Sequence, residues 1–230
     1  MATISELTRV LQFGDSLLPI GAFSFSNGLE SAVQGGVVRD VASLREFVLA
    51  AVEQSANADG LALLAAHRAA AAGDAPGIDR ADRAVIERKL NEEMRTMTLR
   101  MGRKLAELAE RLLGRSTASA SWLDRIKAGA TPGTLPTAQA LVFADLGLSE
   151  RDAFAVHQYG VATMMINAAL RLMRIHYLDV QAILFEANGL AEPSYARAAA
   201  LGLDDMYAFA PEYDVLASLH VQAHVRMFMN

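Results

Sequence analysis

From Val161 to Met173 the chain is apolar on nearly every side of a helical wheel, and that run dictates what the remainder must be. A helix of this kind belongs in an interior. Ser149 stands where an N-cap belongs, and Glu150 and Asp152 suit the positive end of the helix dipole. Phe154, Val161, Met165, Ala168 and Leu172 then recur at helical spacing. The most apolar window, Tyr159 to Met173, is too short to cross a bilayer and is punctuated by Asn167 and Arg171. It therefore has to be covered by protein. The rest of the 230 residues offer that cover as alanine-rich helical pattern, with 53% hydrophobic residues, 7% aromatics and few β-branched runs. The expected fold is all-α, a single-domain helical bundle of roughly ten helices spanning 1–230.

Thr163, Asn167, Arg171 and Arg174 break the apolar surface at intervals of four, four and three, so they share a face. The stripe reads either as a hydrogen-bonded or solvated face, or as a polar channel wall or partner surface. Buried polar groups need partners in both cases.

Other elements follow from their caps and breakers. Ile4 to Phe13 reads as a helix with Leu7, Val10 and Leu11 on one side, and Gly35-Gly36 closes a second. Ser43 to Glu46 has capping-box spacing. A helix is expected from Asn57 to Ala72, and a long charged one from Asp79 to Leu99. Glu92, Glu93, Arg95 and Arg100 decorate the exterior of the latter, and Met94, Met97 and Met101 continue its apolar stripe. Gly102 is expected to interrupt it, since glycine costs a helix about 1 kcal/mol against alanine. The strongest breaker, Gly129 to Pro136, reads as an irregular connection (129–136) inside one domain. Asp179 is expected to cap a helix ending at Asn188-Gly189. The segment 212–229 reads as an amphipathic docking helix carrying Leu216, Leu219, Val225 and Phe228.

Gly14 to Glu30 is the irregular part. Pro19 fixes its own φ and pushes Leu18 out of the α region, and Gly21 can take a positive φ, which together predict a sharp bend. In an extended segment Phe23 and Phe25 point one way and Ser24 and Ser26 the other. Ser26 or Asn27 can cap a short helix with Glu30 in its first turn. The run is either a core loop plugged by its phenylalanines or a rigid polar-tipped surface for a partner.

Much chemistry is excluded. A net charge of −5 argues against nucleic-acid binding. With no cysteine, disulfides, thiolate metal sites and cysteine nucleophiles are out. No Walker A loop, dinucleotide fingerprint or Gly-x-Ser-x-Gly elbow is present, and no secretory signal is visible, so a cytoplasmic protein is expected. His220 and His224, four apart, can reach one metal from a helix, but two ligands make a weak site.

The run Ser16 to Glu30 resembles the N-terminal signature of the UreF family of urease accessory proteins, S-x-x-L-P-[VI]-G-[GA]-[FY]-[ST]-[FYHW]-S-x-G-L-E. Met101-Gly102, Arg171, and the pair of segments Asp214 to His220 and Arg226 to Phe228 are similar to later family patterns. The segments 135–139 and 174–177 depart from them. The resemblance implies a non-enzymatic scaffold that binds UreD (UreH) and recruits and regulates the GTPase UreG, so that nickel reaches the urease apoprotein. It implies a homodimer, no cofactor of its own, and no nucleic-acid or membrane partner. The implied partner-binding residues are Pro19, Gly21, Phe23, Ser24, Ser26, Gly28, Glu30, Met101, Gly102, Arg171, His220, Arg226 and Phe228. In that reading the bend holds Phe23 and Phe25 inward and presents Ser24, Ser26 and Glu30. The alternative is a ligand-responsive helical regulator domain, which needs a basic helix-turn-helix not found here. A third is a metal-dependent helical enzyme using His220 and His224.

Overall fold

Residues 3–207, 215, 216, 218, 227 and 228 are described by a computed structural model. Among them are eleven α-helices, two short 3-10 turns and no strand, as the all-α reading requires. In chain order they are α1 (Ile4–Gly14), α2 (Leu29–Gln34), α3 (Val41–Asn57), α4 (Asp59–Ala71), α5 (Ala75–Arg88), α6 (Glu92–Leu113), α7 (Ala118–Lys127), α8 (Leu135–Asp145), α9 (Glu150–Leu172), α10 (Tyr177–Gly189) and α11 (Ala191–Ala198).

α9 is the central helix, touching α1, α2, α3, α4, α8, α10 and α11. Ser149 caps it, its side chain accepting from the Asp152 N–H. The two halves of α9 serve two apolar clusters. Ala153 and Phe154 pack with α4 to α8, while Ala162, Met165, Ile166, Ala168 and Ala169 pack with α2, α3 and α10. An all-round apolar helix is what two clusters sharing one element need.

Several boundaries move for identifiable reasons. α3 begins one turn before Ser43, because Asp40 is the cap: its carboxylate accepts from Ser43 N at 2.8 Å and Ser43 Oγ accepts from Asp40 N at 3.1 Å. α10 is capped by His176, whose Nδ1 accepts from Leu178 N, rather than by Asp179. In α1, Leu7 and Leu11 are exposed and Phe13 is the buried residue.

The expected helix from Asp79 to Leu99 is two helices. α5 ends at Arg88, and Asn91 starts α6 by accepting from Glu93 N at 2.8 Å and Met94 N at 3.2 Å. Lys89 and Arg88 hold the bend from outside. Lys89 Nζ lies 2.8 Å from Asp59 Oδ2, and Arg88 donates to Leu203 O and Met206 O.

Gly102, by contrast, does not interrupt α6. It sits where the turn before α8 crosses the helix, so that a methyl there would stand 2.5 Å from Thr134 C and 2.6 Å from Thr134 O. That turn is tied to α5 by Asp82, a fully buried carboxylate. Asp82 accepts from Thr131 Oγ1 (2.7 Å), Gly133 N (2.8 Å), Thr134 N (2.8 Å) and Thr134 Oγ1 (2.6 Å). A buried charge is tolerable when it is hydrogen-bonded this fully.

Candidate functional site: the Gly14 to Glu30 run and what clasps it

The run is built as a bridge between the two clusters. Leu18, Ile20 and Phe25 are buried in the first, and Leu29 and Ala32 in the second. Asp15 starts the bend, its Oδ1 accepting from Leu17 N and its backbone O from Leu18 N. Gly21 has φ +106°, a value that L side chains rarely adopt, so the bend at Pro19–Gly21 forms as expected.

The next step differs from expectation. Ala22–Ser24 is a 3-10 turn, not an extended segment. Its period of three replaces the strand's period of two, so Phe23 and Phe25 diverge. Phe25 is buried, while Phe23 is 53% exposed. Asn27 and Gly28 both have positive φ and turn the chain into α2. Gly28 occupies the N-cap position, and Ser26 Oγ accepts from Glu30 N at 3.3 Å. Ser26 and Glu30 are consequently buried, at 0% and 2% exposure; of the three polar residues expected outside, only Ser24 is exposed.

Glu30 faces the chain's own last described residues. Its Oε1 accepts from Met227 N at 2.7 Å and its Oε2 from Phe228 N at 3.0 Å. Gln34 Nε2 adds a longer bond to Oε1 at 3.4 Å. Arg171, in the last turn of α9, joins both parts. Its guanidinium carbon lies 4.3 Å from the Phe23 ring centroid and 4.2 Å from that of Phe228. Its Nη1 donates to Phe23 O at 3.1 Å. Each cation–π contact contributes about 0.5–1 kcal/mol at an exposed site.

The rest of the α9 polar stripe is hydrogen-bonded. Asn167 Nδ2 donates to Ser16 Oγ at 3.1 Å, and Thr163 Oγ1 donates to Tyr159 O at 2.8 Å. Asn167 and Arg171 therefore clasp the two ends of the bend, Ser16 and Phe23. Arg174 lies beyond the end of α9.

The structure thus brings Pro19, Gly21, Phe23, Ser24, Ser26, Gly28, Glu30, Arg171 and Phe228 into one neighbourhood. Met101 and Gly102 are buried in α6, at the crossing with the 131–134 turn. His220, His224 and Arg226 lie outside the described residues, as does most of the segment 212–229. Sequence reasoning placed Asn167 on the polar stripe but missed its bond to Ser16, and it missed the pairing of Glu30 with Met227 and Phe228. Nothing in a local pattern links positions 197 and 198 residues apart. Among the described residues no group of three or more His, Cys, Asp or Glu could hold a metal ion, and no helix is long and apolar enough to cross a membrane.

Comparison with known proteins places this geometry. The UreF family model matches residues 38–188, a span that begins after the bend. Curated relatives cover the bend as well. The chain is 54% identical over 228 residues to the urease accessory protein UreF 2 of Brucella canis, covering 99% of this chain and 93% of that one. It is 54% identical over 228 residues to UreF 1 of Brucella melitensis, covering 99% and 94%. It is 52% identical over 227 residues to UreF of Yersinia enterocolitica, covering 98% and 99%. With the family model matching most of the chain and relatives at this identity covered nearly end to end, the chain belongs to the urease accessory protein UreF family.

Proposed function

We propose that this protein is a scaffold for urease maturation, a cytoplasmic, non-enzymatic homodimer that binds UreD (UreH) and recruits and regulates the GTPase UreG while nickel is passed to the urease apoprotein. Family membership supports the accessory role. The observation that carries the finer reading is the Arg171 clasp. One guanidinium lies over the ring of Phe23 in the bend and over that of Phe228 near the far end of the sequence, and Glu30 holds the backbone at Met227 and Phe228. Two segments distant in sequence thereby form one outward surface, with Phe23, Ser24, Pro19 and Met227 exposed on it. Phe23 and Met227 there are exposed, apolar and held in place, which suits them to anchor a partner.

Co-purification tests this reading. Tagged protein co-expressed with UreD, UreG and urease should retain UreD and UreG. Arg171→Ala should retain at least tenfold less of one of them with its helical circular dichroism unchanged. Equal retention of both by the wild type and the variant would refute the clasp as the organiser of a docking surface.

A further inference from the structure

A cavity of about 150 Å³ opens beside the bend, and the proposed docking role makes no use of it. Three of its wall residues, Met94, Met97 and Met101, come from α6 at helical spacing, and Met164 joins them from α9. Thioethers are soft and adaptable, and they make favourable contacts with ring edges. A cavity of this size lined by apolar side chains holds a single six-membered ring.

One end of the cavity is polar. Ser55 Oγ lies 3.0 Å from His157 Nε2, and His157 Nδ1 lies 2.7 Å from Gln139 Oε1. A carboxamide oxygen only accepts, so Nδ1 carries the proton, and Nε2 accepts the Ser55 hydroxyl hydrogen. Burial pushes the His157 pKa down to about 4, so the row is uncharged at neutral pH. Two capacities remain at this end. The Gln139 amide nitrogen can donate, and Ser55 Oγ can accept.

The charged residues on the lining are already engaged. Lys89 pairs with Asp59. The Arg88 guanidinium donates to the carbonyls of Ala84, Leu203 and Met206, and Asp15 takes the Leu17 N–H. At the Ser55–His157–Gln139 end a ligand meets no charge, and a neutral one with a donor beside an acceptor finds both complements.

We propose that this cavity is a binding site for a small neutral molecule, a single ring or short branched apolar body bearing a carboxamide. The ligand carbonyl accepts from Gln139, its N–H donates to Ser55, and its apolar body lies among the methionines. Ser16, Ala22 and Asn27 line the same cavity, so an occupant touches the inner side of the bend.

Benzamide is the probe, with benzene and benzoate as comparisons, titrated into the full chain carrying 13C-methyl methionine. Benzamide should shift the Met94, Met97, Met101 and Met164 methyls saturably, leave most of the ten methionines unmoved, and bind about three- to tenfold more tightly than benzene, the worth of one ordinary hydrogen bond. Benzoate should bind more weakly than benzamide. Ser55→Ala and Gln139→Leu should each bring benzamide towards the affinity of benzene, which both variants still bind. The unmoved methionines report whether each variant is folded, and Ser55→Ala carries the test if Gln139→Leu is not. Shifts that do not saturate or that spread over all methionines, equal binding of benzoate, or a preference for benzamide that survives in the folded variants would overturn the proposal. The readout needs no partner protein, so its failure leaves the docking role standing, and failed co-purification leaves this site standing.

Discussion

Gly102→Ala separates a packing role for the Met101-Gly102 step from a role that is only partner recognition. In an unobstructed helix interior the exchange stabilises by about 1 kcal/mol. Here the added methyl would press on backbone at 2.5 and 2.6 Å from Thr134, and closer still to Gly133 O. Backbone cannot rotate away as a side chain can, and the turn cannot retreat without stretching four hydrogen bonds to the buried Asp82. Overpacking costs about 1–3 kcal/mol, and a hydrogen bond to a charged group about 1.5–3. Losing one such bond along with the overpacking, and subtracting the propensity gain, leaves a net destabilisation of about 1.5–5 kcal/mol. For a chain of this size that is a fall in melting temperature of roughly 3–20 °C. Gly160→Ala is the matched comparison, because Gly160 lies inside α9 with nothing within 4 Å of an added methyl. Urea melts followed at 222 nm should move in opposite directions for the two variants. If Gly102→Ala is as stable as the wild type, or shifts with the same sign as Gly160→Ala, the packing account of this step is wrong.

Two other outcomes follow from buried groups. His157 has its pKa lowered from 6.5 to about 4 by burial, so on acidification the unfolded chain takes up the proton first. Its contribution is fully present above pH 6.5 and is lost as pH falls towards 4, up to about 3 kcal/mol in all. Urea midpoints between pH 6.5 and 5 should fall for the wild type and be flatter for His157→Gln; parallel slopes would refute the assignment. Glu30→Gln removes the charge that holds Met227 and Phe228. Their amide protons should exchange about 10- to 100-fold faster, matching about 1.5–3 kcal/mol for charge-assisted bonds, while amides of α9 keep their rates. Unchanged exchange at 227 and 228 would count against the carboxylate as their anchor.

What the sequence made legible follows from where the determining forces act. The all-round apolar run of α9 had one physical solution, and the caps at Ser149 and the bend at Gly21 are set by residues within a turn of each other. The break between α5 and α6 was not legible, because 89–91 carries neither proline nor glycine. It is set by Asn91 capping α6 together with the distant partners Asp59, Leu203 and Met206. The divergence of Phe23 and Phe25 was hidden for a related reason. A two-residue alternation reads as strand until a 3-10 turn changes the period, and what holds Phe23 outward is Arg171, on a helix far along the chain.

The same distinction narrows the proposed docking surface. A motif spelled by Leu18, Ile20, Phe25, Ser26, Leu29 and Glu30 consists of groups turned inward: four fill the two clusters, Ser26 binds the Glu30 N–H, and Glu30 binds Met227 and Phe228. A partner arriving from solvent cannot touch them without unfolding the bend. Of the run itself it meets Asp15, Leu17, Pro19, Phe23 and Ser24, whose positions depend on the inward residues. Among the described residues Arg171 is the one side chain whose charge lies over both the Phe23 and the Phe228 ring, and its Nη1 also donates to Phe23 O. A lysine there would keep the charge and lose the planar group whose several donors bond at its edge while its face stays free for a ring, so charge alone does not account for the arginine at this position.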